Sequence, residues 1–546
     1  MGRTAKPHRQ AAKSKPRTAL LLNETAKTCY HFLCLILFAS PLAAGPPSHC
    51  PPGLPATARG GSPPPLPDFI MQLFDRCSPE EAGVCSPALN RFLNAFMALR
   101  YTHGVMVLRH GKIIAERYRD LCSAADRHQL FSLSKSFTSS AIGIAIGEKR
   151  LSLDDCVVDF FPEYAGDAIS ERMKRVTVRH LLTMSTGHKS CALFGERYAA
   201  LKVHFDNSRP WVQNILEDEL AYEPGSTFVY NTGATFLLSA ILRKATGQNL
   251  VAYLRPRLLD PLGFPQDVYS SCNPDGIELG GYGLHLRLPE IAAAAQCWLR
   301  MGKAPDGTQL IPEDYMRAAS SKQISNGDPA VASDWTQGYG YQFWQCQHGF
   351  FRADGACGQI AVIMPRFDAV CVATAGLSNM QLELDTLWNH LIPALDGATD
   401  GDSVCTPASF DFDPPGKPQP LEQNPVEYAA VPGNPIGLSG LRLEQTSDGV
   451  RLLLRYADRT FEQLEAGFQT PKCSLIQTLE SKSSFAAYGR CRWTHQRVLG
   501  LTFVIPESTS VFRYTLDLSA GQPILSRTAD IYFAKPWLRD VRIPLI

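Results

Sequence analysis

Apolar and polar positions change period repeatedly between residues 69 and 395. Val105-Met106-Val107-Leu108 and Ile113-Ile114-Ala115 are short apolar runs on either side of Arg109-His110-Gly111-Lys112. Two such runs around a turn containing glycine predict a β-hairpin. Residues 360–364 and 370–373 predict a second buried pair near the end of this region. Runs between them, such as Phe236-Leu237-Leu238-Ser239-Ala240-Ile241-Leu242, read as helical. Antiparallel hairpins at both ends with helices between them predict an α+β domain over 69–396, its two ends building one sheet. Eight prolines between Pro407 and Pro435 mark a linker over 397–436. Runs at 450–456, 484–493, 498–505 and 511–518, separated by turns, then predict a small β-rich C-terminal domain over 437–546. No internal repeat is evident.

Composition adds a compartment to this picture. The 546 residues carry 53 Lys+Arg against 52 Asp+Glu, a formal net charge of +1. Hydrophobic residues at 45% and charged residues at 19% exclude a mostly disordered chain. The balance gives no basic footprint for nucleic acid. Yet residues 1–27 hold seven basic residues and one acid, so they sum to +6 and the remainder to −5. An apolar run from Cys29 to Ala44 follows, shorter than the ~20 residues of a comfortable membrane span. Residues 1–45 therefore read as a targeting segment. They fit a signal peptide cut near Ala43-Ala44, an uncleaved anchor that would tether the chain to a membrane, or a mitochondrial presequence. Nine prolines in 46–67 form an extended tether behind it, within a linker over 46–68. The body is thus expected to be secreted, or anchored and facing away from the cytosol, with the mitochondrion as the alternative.

Sixteen cysteines would suit an oxidising compartment, but several lie in apolar runs where a thiol behaves as a small buried hydrophobe. Cys77 with Cys85 and Cys473 with Cys491 are plausible pairs, although connectivity is not readable from spacing. Neither Cys-x-x-Cys nor His-x-x-x-His occurs, so no zinc site and no cofactor is expected.

The informative segment is Phe131-Ser132-Leu133-Ser134-Lys135-Ser136-Phe137, at the start of an apolar helical pattern. A spacing of three puts Ser132 and Lys135 on one helix face. An amine held neutral by burial can take a proton from a serine hydroxyl. A helix N-terminus also offers free N–H groups, and that of Ser132 could face a developing oxyanion. The alternative for the same residues is plain: serine at a helix start is commonly an N-cap.

The wider wording of the chain resembles the serine β-lactamase and penicillin-binding-protein superfamily, in the branch of class C β-lactamases, D-aminopeptidases, esterases and nylon-oligomer hydrolases. The resemblance runs from the Ser132 segment through Gly147-Glu148-Lys149-Arg150-Leu151-Ser152-Leu153-Asp154-Asp155 and Phe160-Phe161-Pro162. It continues in Val178-Arg179-His180-Leu181-Leu182-Thr183-Met184-Ser185-Thr186-Gly187 and Pro224-Gly225-Ser226-Thr227-Phe228-Val229-Tyr230-Asn231-Thr232-Gly233. Pro261-Leu262-Gly263 and Gly280-Gly281-Tyr282-Gly283 follow, so it covers roughly 75–395. It implies a β-lactamase/transpeptidase-like domain, an antiparallel sheet flanked by helices plus an all-helical part. It also implies Ser132 as acylated nucleophile, Lys135 as its base and Tyr230 as the proton shuttle to the leaving group. Taken alone, Tyr230 would read as a half-buried aromatic before a turn.

Two departures bear on the substrate. The family's Tyr-x-Asn is Tyr230-Asn231-Thr232 here, which moves the asparagine one place and leaves Asn231 a tentative substrate contact. The third motif, usually Lys-Thr-Gly or His-x-Gly, is matched by Ala353-Asp354-Gly355, with Ala353 in the cationic place. Gly355 would still allow close backbone approach beside the substrate, and the Ala356 N–H would be the second oxyanion donor. Arg352 should face away from Ala353's side on an alternating strand. Loss of that cation removes a charge-assisted contact of about 1.5–3 kcal/mol to a substrate carboxylate, which argues against efficient β-lactam turnover. The expectation is a serine hydrolase working through an acyl-enzyme on an ester or amide of a small molecule or peptide. An acyltransferase and a catalytically weak binding pseudoenzyme are the alternatives. Aromatics in two loops (Tyr198, Phe205, Trp335, Tyr339) read equally as a wall for an apolar acyl or aryl group and as core residues.

Overall fold

The computed structural model describes residues 73–191, 209–398, 416–530 and 540–546, less 165, 329, 332, 420, 422, 459, 478–483, 496 and 520. The targeting segment, the first proline-rich tether and the loop carrying Tyr198 and Phe205 lie outside the described residues. Among the described residues no helix is long and apolar enough to cross a membrane.

The two predicted hairpins form and meet. β1 (Thr102–Arg109) and β2 (Lys112–Tyr118) pair through the two-residue turn His110-Gly111. Three short strands intervene in sequence: β3 (Arg127–Gln129), β4 (Tyr269–Ser270) and β5 (Leu284–Arg287) make a small sheet in the order β3-β5-β4. The main sheet is completed by β6 (Trp344–Gln345), β7 (Phe351–Gly355), β8 (Gln359–Met364) and β9 (Ala369–Ala375), in the order β2-β1-β9-β8-β7-β6. The antiparallel β1–β9 ladder joins the chain's early hairpin to its late one.

Alternation along the strands sends side chains to two cores. Val105 and Val107 pack with Phe92 and Phe96 of helix α1 (Ser86–Ala98), whereas Met106 and Leu108 join the helical core on the other face. That second core holds α2 (Ser134–Gly147), α3 (Thr232–Thr246) and α4 (Leu288–Leu299). Helix α2 is buried on every side from Ser134 to Ala145. Its hydroxyls are satisfied by carbonyls of neighbouring segments, as burial demands. Ser136 Oγ donates to Gln342 O at 2.7 Å, Thr138 Oγ1 to Gly280 O at 2.8 Å and Ser139 Oγ to Tyr341 O at 2.7 Å. A helix fixed in rotation by polar contacts on several faces is a rigid mount for whatever stands at its N-terminus.

The C-terminal region is one ten-stranded sheet running from Val426–Ala429 to Asp540–Pro544, antiparallel except where Phe461–Gly467 meets Ser484–His495 in parallel. Its first strand lies inside the segment expected to be linker, because Val-Glu-Tyr-Ala is too short to stand out beside prolines. The sheet's edges meet. Ala429 N–H donates to Ile546 O at 3.0 Å and Ile546 N–H to Ala429 O at 2.8 Å, which joins one end of the first strand to the chain's last residue. All twelve described cysteines are free thiols, so the pairs Cys77–Cys85 and Cys473–Cys491 do not form. Cys491 is buried and its Sγ donates to Ala466 O at 3.2 Å, the behaviour of a core thiol.

Candidate active site

Ser132 stands in a single 3-10 turn, Phe131–Leu133, that runs directly into α2. Phe131 has φ +47° and no solvent exposure. A bulky residue held in the left-handed region is strained, and it persists only where surrounding packing over-determines the turn. Lys135, one turn into the helix, is 1% exposed, and Ser132 is 2% exposed. The spacing does what the helix period requires: Lys135 Nζ lies 3.0 Å from Ser132 Oγ.

The amine has two further partners, Gly281 O at 2.7 Å and Thr232 Oγ1 at 3.2 Å. Burial lowers its pKa to about 7, against smaller opposing influences of Cys191 and Asp354. Among the described residues no carboxylate is hydrogen-bonded to the Nζ to hold it charged. A lysine desolvated in this way can be neutral near physiological pH.

Tyr230 is half-buried, with its ring centroid 5.0 Å from Lys135 Nζ. It stacks on Trp344 at 5.4 Å and 24°. Trp344 in turn meets Tyr339 and Trp335 edge-on, and Phe228 lies 5.2 Å from Tyr339. Of the four aromatics suggested for the loops, Trp335 and Tyr339 thus join the wall beside Tyr230.

Asn231 and Thr232 divide what the family pattern gives to one residue. Asn231 is the N-cap of α3, fully buried, with its side-chain oxygen accepting from Gly233 N–H at 2.9 Å. The hydroxyl that reaches Lys135 belongs to Thr232, the first helical residue, whose N–H donates to Cys191 Sγ at 3.2 Å.

The third-motif strand lies against the turn that carries Ser132. A Cβ on Gly355 would stand 2.0 Å from Leu130 O and 3.0 Å from Leu133 N, the backbone on either side of the serine. Only a residue without a side chain lets β7 approach so closely. Gly355→Ala is therefore expected to lower stability by about 1–3 kcal/mol, read as a lower melting temperature, and to displace Ser132 from β7. Ala356 follows Gly355 in the tight connection to β8 and is 1% exposed. Ala353 faces the helical core. Arg352 faces away, as alternation requires. Its Nε donates to Asp354 Oδ2 at 2.7 Å and its Nη1 to Asp334 O at 3.0 Å, under the Trp335 ring.

The structure thus brings Ser132, Lys135 and Tyr230 together, with Gly355 and Ala356 on the adjoining strand and turn. The Beta-lactamase family model matches residues 89–379, just over half of the chain. The chain belongs to the beta-lactamase family. Within this family it is 25% identical over 286 residues to the 6-aminohexanoate-dimer hydrolase of Paenarthrobacter ureafaciens, covering 50% of this chain and 71% of that protein. It is 27% identical over 190 residues to esterase EstB of Burkholderia gladioli, covering 31% of this chain and 47% of that one. A solved octameric penicillin-binding protein homologue from Pyrococcus abyssi superposes with a TM-score of 0.43 at 16% identity, over 84% of this chain and 99% of that one. The family's fold, a sheet flanked by helices, is the fold of this beta-lactamase-family domain.

Sequence reasoning missed the two other partners of Lys135. Thr232 was visible at the third place of the Tyr-x-Asn pattern. The Gly281 carbonyl carried no signal, since every residue has one and only the fold selects which is aimed at the amine.

Proposed function

We propose that this beta-lactamase-family protein is a serine hydrolase that forms an acyl-enzyme on Ser132 with an ester or amide substrate. The observation that carries the reading is the 3.0 Å contact between Ser132 Oγ and a lysine whose burial lowers its pKa to about 7. A neutral amine has two N–H donors and one lone pair. Gly281 O and Thr232 Oγ1 take the donors. The lone pair then faces the Ser132 hydroxyl and removes its proton as the oxygen attacks the substrate carbonyl. The oxyanion is held by the N–H groups of Ser132 and Ala356. Tyr230 passes the proton from Lys135 to the leaving group, and the same groups run in reverse when water attacks the ester.

The surroundings favour uncharged acyl or aryl groups. The wall beside Tyr230 is built of Trp344, Tyr339 and Phe228, and the place of the family's cation is held by Ala353. Arg352 does not replace that cation, being fully buried and bound to Asp354. Among the described residues a substrate carboxylate would find no charge-assisted partner at Ala353, so β-lactams are poor substrates on this reading.

A fluorophosphonate probe followed by intact mass tests the chemistry, and a panel of p-nitrophenyl esters, D-amino-acid amides and a chromogenic cephalosporin tests the preference. One adduct on Ser132 and turnover of aryl esters well above the cephalosporin are expected. If no adduct forms while an active relative labels under the same conditions, the protein is not a serine hydrolase.

A further inference from the structure

Arg352 and Asp354 form an ion pair buried on the third-motif strand and take no part in the chemistry proposed above. A buried ion pair commonly stabilises a fold no better than apolar residues of the same volume, so its worth lies in what it holds in place. β6 and β7 pair with Trp344 directly opposite Arg352, which puts the two side chains on one face. The Arg352 Cζ lies 5.4 Å from the Trp344 ring centroid and 4.5 Å from that of Trp335.

The guanidinium is fixed on several sides. Its Nε donates to Asp354 Oδ2 at 2.7 Å, and its Nη1 to the carbonyls of Asp334 and Gln345 at 3.0 and 3.3 Å. Those carbonyls adjoin Trp335 and Trp344 in the chain, so one cation holds both indoles by backbone and by ring. Asp334 is itself anchored and has no exposed surface. Its Oδ2 accepts from Trp388 Nε1 at 2.9 Å and from Gln381 Nε2 at 2.8 Å, and its Oδ1 from Gln347 N–H at 2.8 Å.

Trp344 passes this rigidity on to Tyr230. The indole is 5% exposed and meets Trp335 at 5.1 Å and 79° and Tyr339 at 5.0 Å and 85°, both edge-on. Its stack on Tyr230, at 5.4 Å and 24°, reaches the candidate site. Tyr339 meets the same phenol edge-on at 6.4 Å. The main chain on either side of Tyr230 is pinned, since Val229 N–H donates to Met184 O at 2.8 Å and Asn231 N–H to Met184 Sδ at 3.2 Å. With the backbone fixed, the direction of the phenol depends on its side-chain torsions, and the Trp344 face limits them.

We propose that Trp344 is a positioning residue for Tyr230, held in place by Arg352 of the third-motif strand, and that the phenol so aimed delivers its proton to the leaving group. The inference rests on the serine-hydrolase reading above. In acylation the bond from the substrate carbonyl carbon to the leaving oxygen breaks and the electron pair stays on that oxygen. Tyr230 supplies the proton to it while taking one from the Lys135 ammonium. An alkoxide leaves only with that proton, whereas p-nitrophenolate is a weak enough base to leave without it. A misaimed Tyr230 therefore slows an alkyl ester more than the p-nitrophenyl ester of the same acid.

Trp344→Leu in the full-length protein tests this with the ethyl and p-nitrophenyl esters of one acid, compared by kcat/KM, which reports acylation. Both values are expected to fall, because Trp344 also belongs to the wall, and the ethyl ester ~10-fold further than the p-nitrophenyl ester. The shared acyl group makes a loss of wall contact common to the two, so it cancels in their ratio. Trp344→Phe, which keeps an aromatic face, should restore the ratio. Arg352→Lys keeps a charge beside Asp354 but lacks the planar fork. It should shift the ratio in the same direction, and it carries the test alone if Trp344→Leu does not fold. An unchanged ratio in either folded variant, whatever the loss of rate or melting temperature, would show a merely structural role and overturn the proposal, leaving the hydrolase reading intact. Wild-type protein that takes no fluorophosphonate label would overturn both.

Discussion

Ser132→Ala is expected to abolish covalent labelling and to reduce ester turnover by ~10³-fold or more, about 4 kcal/mol of transition-state stabilisation. The substitution removes one oxygen and leaves the rest of the site in place. Lys135 keeps Gly281 O and Thr232 Oγ1, and the turn 131–133 keeps the packing of Phe131 and Leu133, both fully buried. The melting temperature should therefore move by no more than a few degrees, and circular dichroism should be unchanged. The nearest serines of the same segment are held elsewhere. Ser134 Oγ accepts from Leu284 N–H, and Ser136 Oγ donates to Gln342 O, so both are committed to the fold. Substantial turnover in Ser132→Ala, measured with the same aryl ester, would show that the nucleophile lies elsewhere.

Lys135→Met should reduce the labelling rate by ~10²–10⁴-fold, the usual contribution of a positioned base. Methionine matches the lysine stem in length and suits a position that is 1% exposed. Two effects on stability oppose each other, since the variant no longer desolvates an amine but leaves Gly281 O and Thr232 Oγ1 without that donor. The wild-type pH profile gives a second, sharper test. With a pKa lowered to about 7 by burial, Nζ is protonated below that pH and cannot accept the serine proton. The rate of labelling should fall about tenfold per pH unit below 7 and level off above it. That limb should vanish from the residual rate of Lys135→Met. A wild-type profile flat from pH 5 to 9 would mean that Lys135 is not the base.

Much of this molecule is legible from local pattern. The hairpin at 105–115 and the pair at 360–373 carry β-branched runs around turns, and a period of two survives any environment. The Ser132–Lys135 pair is legible for the same kind of reason, because three residues make one helical turn whatever the helix packs against. Less was readable in the C-terminal domain. Strands 450–456 and 498–505 stand out by their apolar alternation, but Val426–Ala429 is half-exposed and flanked by prolines, so its pairing with Leu438–Gln445 has no local mark. The cysteine pairings failed because spacing along the chain says nothing about Cβ directions across a sheet.

Asn231 shows what a motif alone leaves open. Its place beside Tyr230 suggested a substrate contact, yet an asparagine immediately before a helix is also the preferred cap, and its side-chain oxygen caps Gly233 N–H. The next residue, pointing one helical step round, supplies the hydroxyl to Lys135.

The chain's sequence by itself determined the family and the α+β and β-rich division, and it put Ser132 and Lys135 one helical turn apart, since periodicity and short-range spacing are properties of the backbone. Tertiary structure alone decided that Lys135 is buried deeply enough to lose its proton near neutral pH. It alone selected the Gly281 carbonyl as that lysine's partner and brought Glu507 of the second domain to His285. The physical reason is common to all three: desolvation and polar contacts depend on which distant segments close over a residue, and separations of 146 and 222 positions leave no trace in a local pattern.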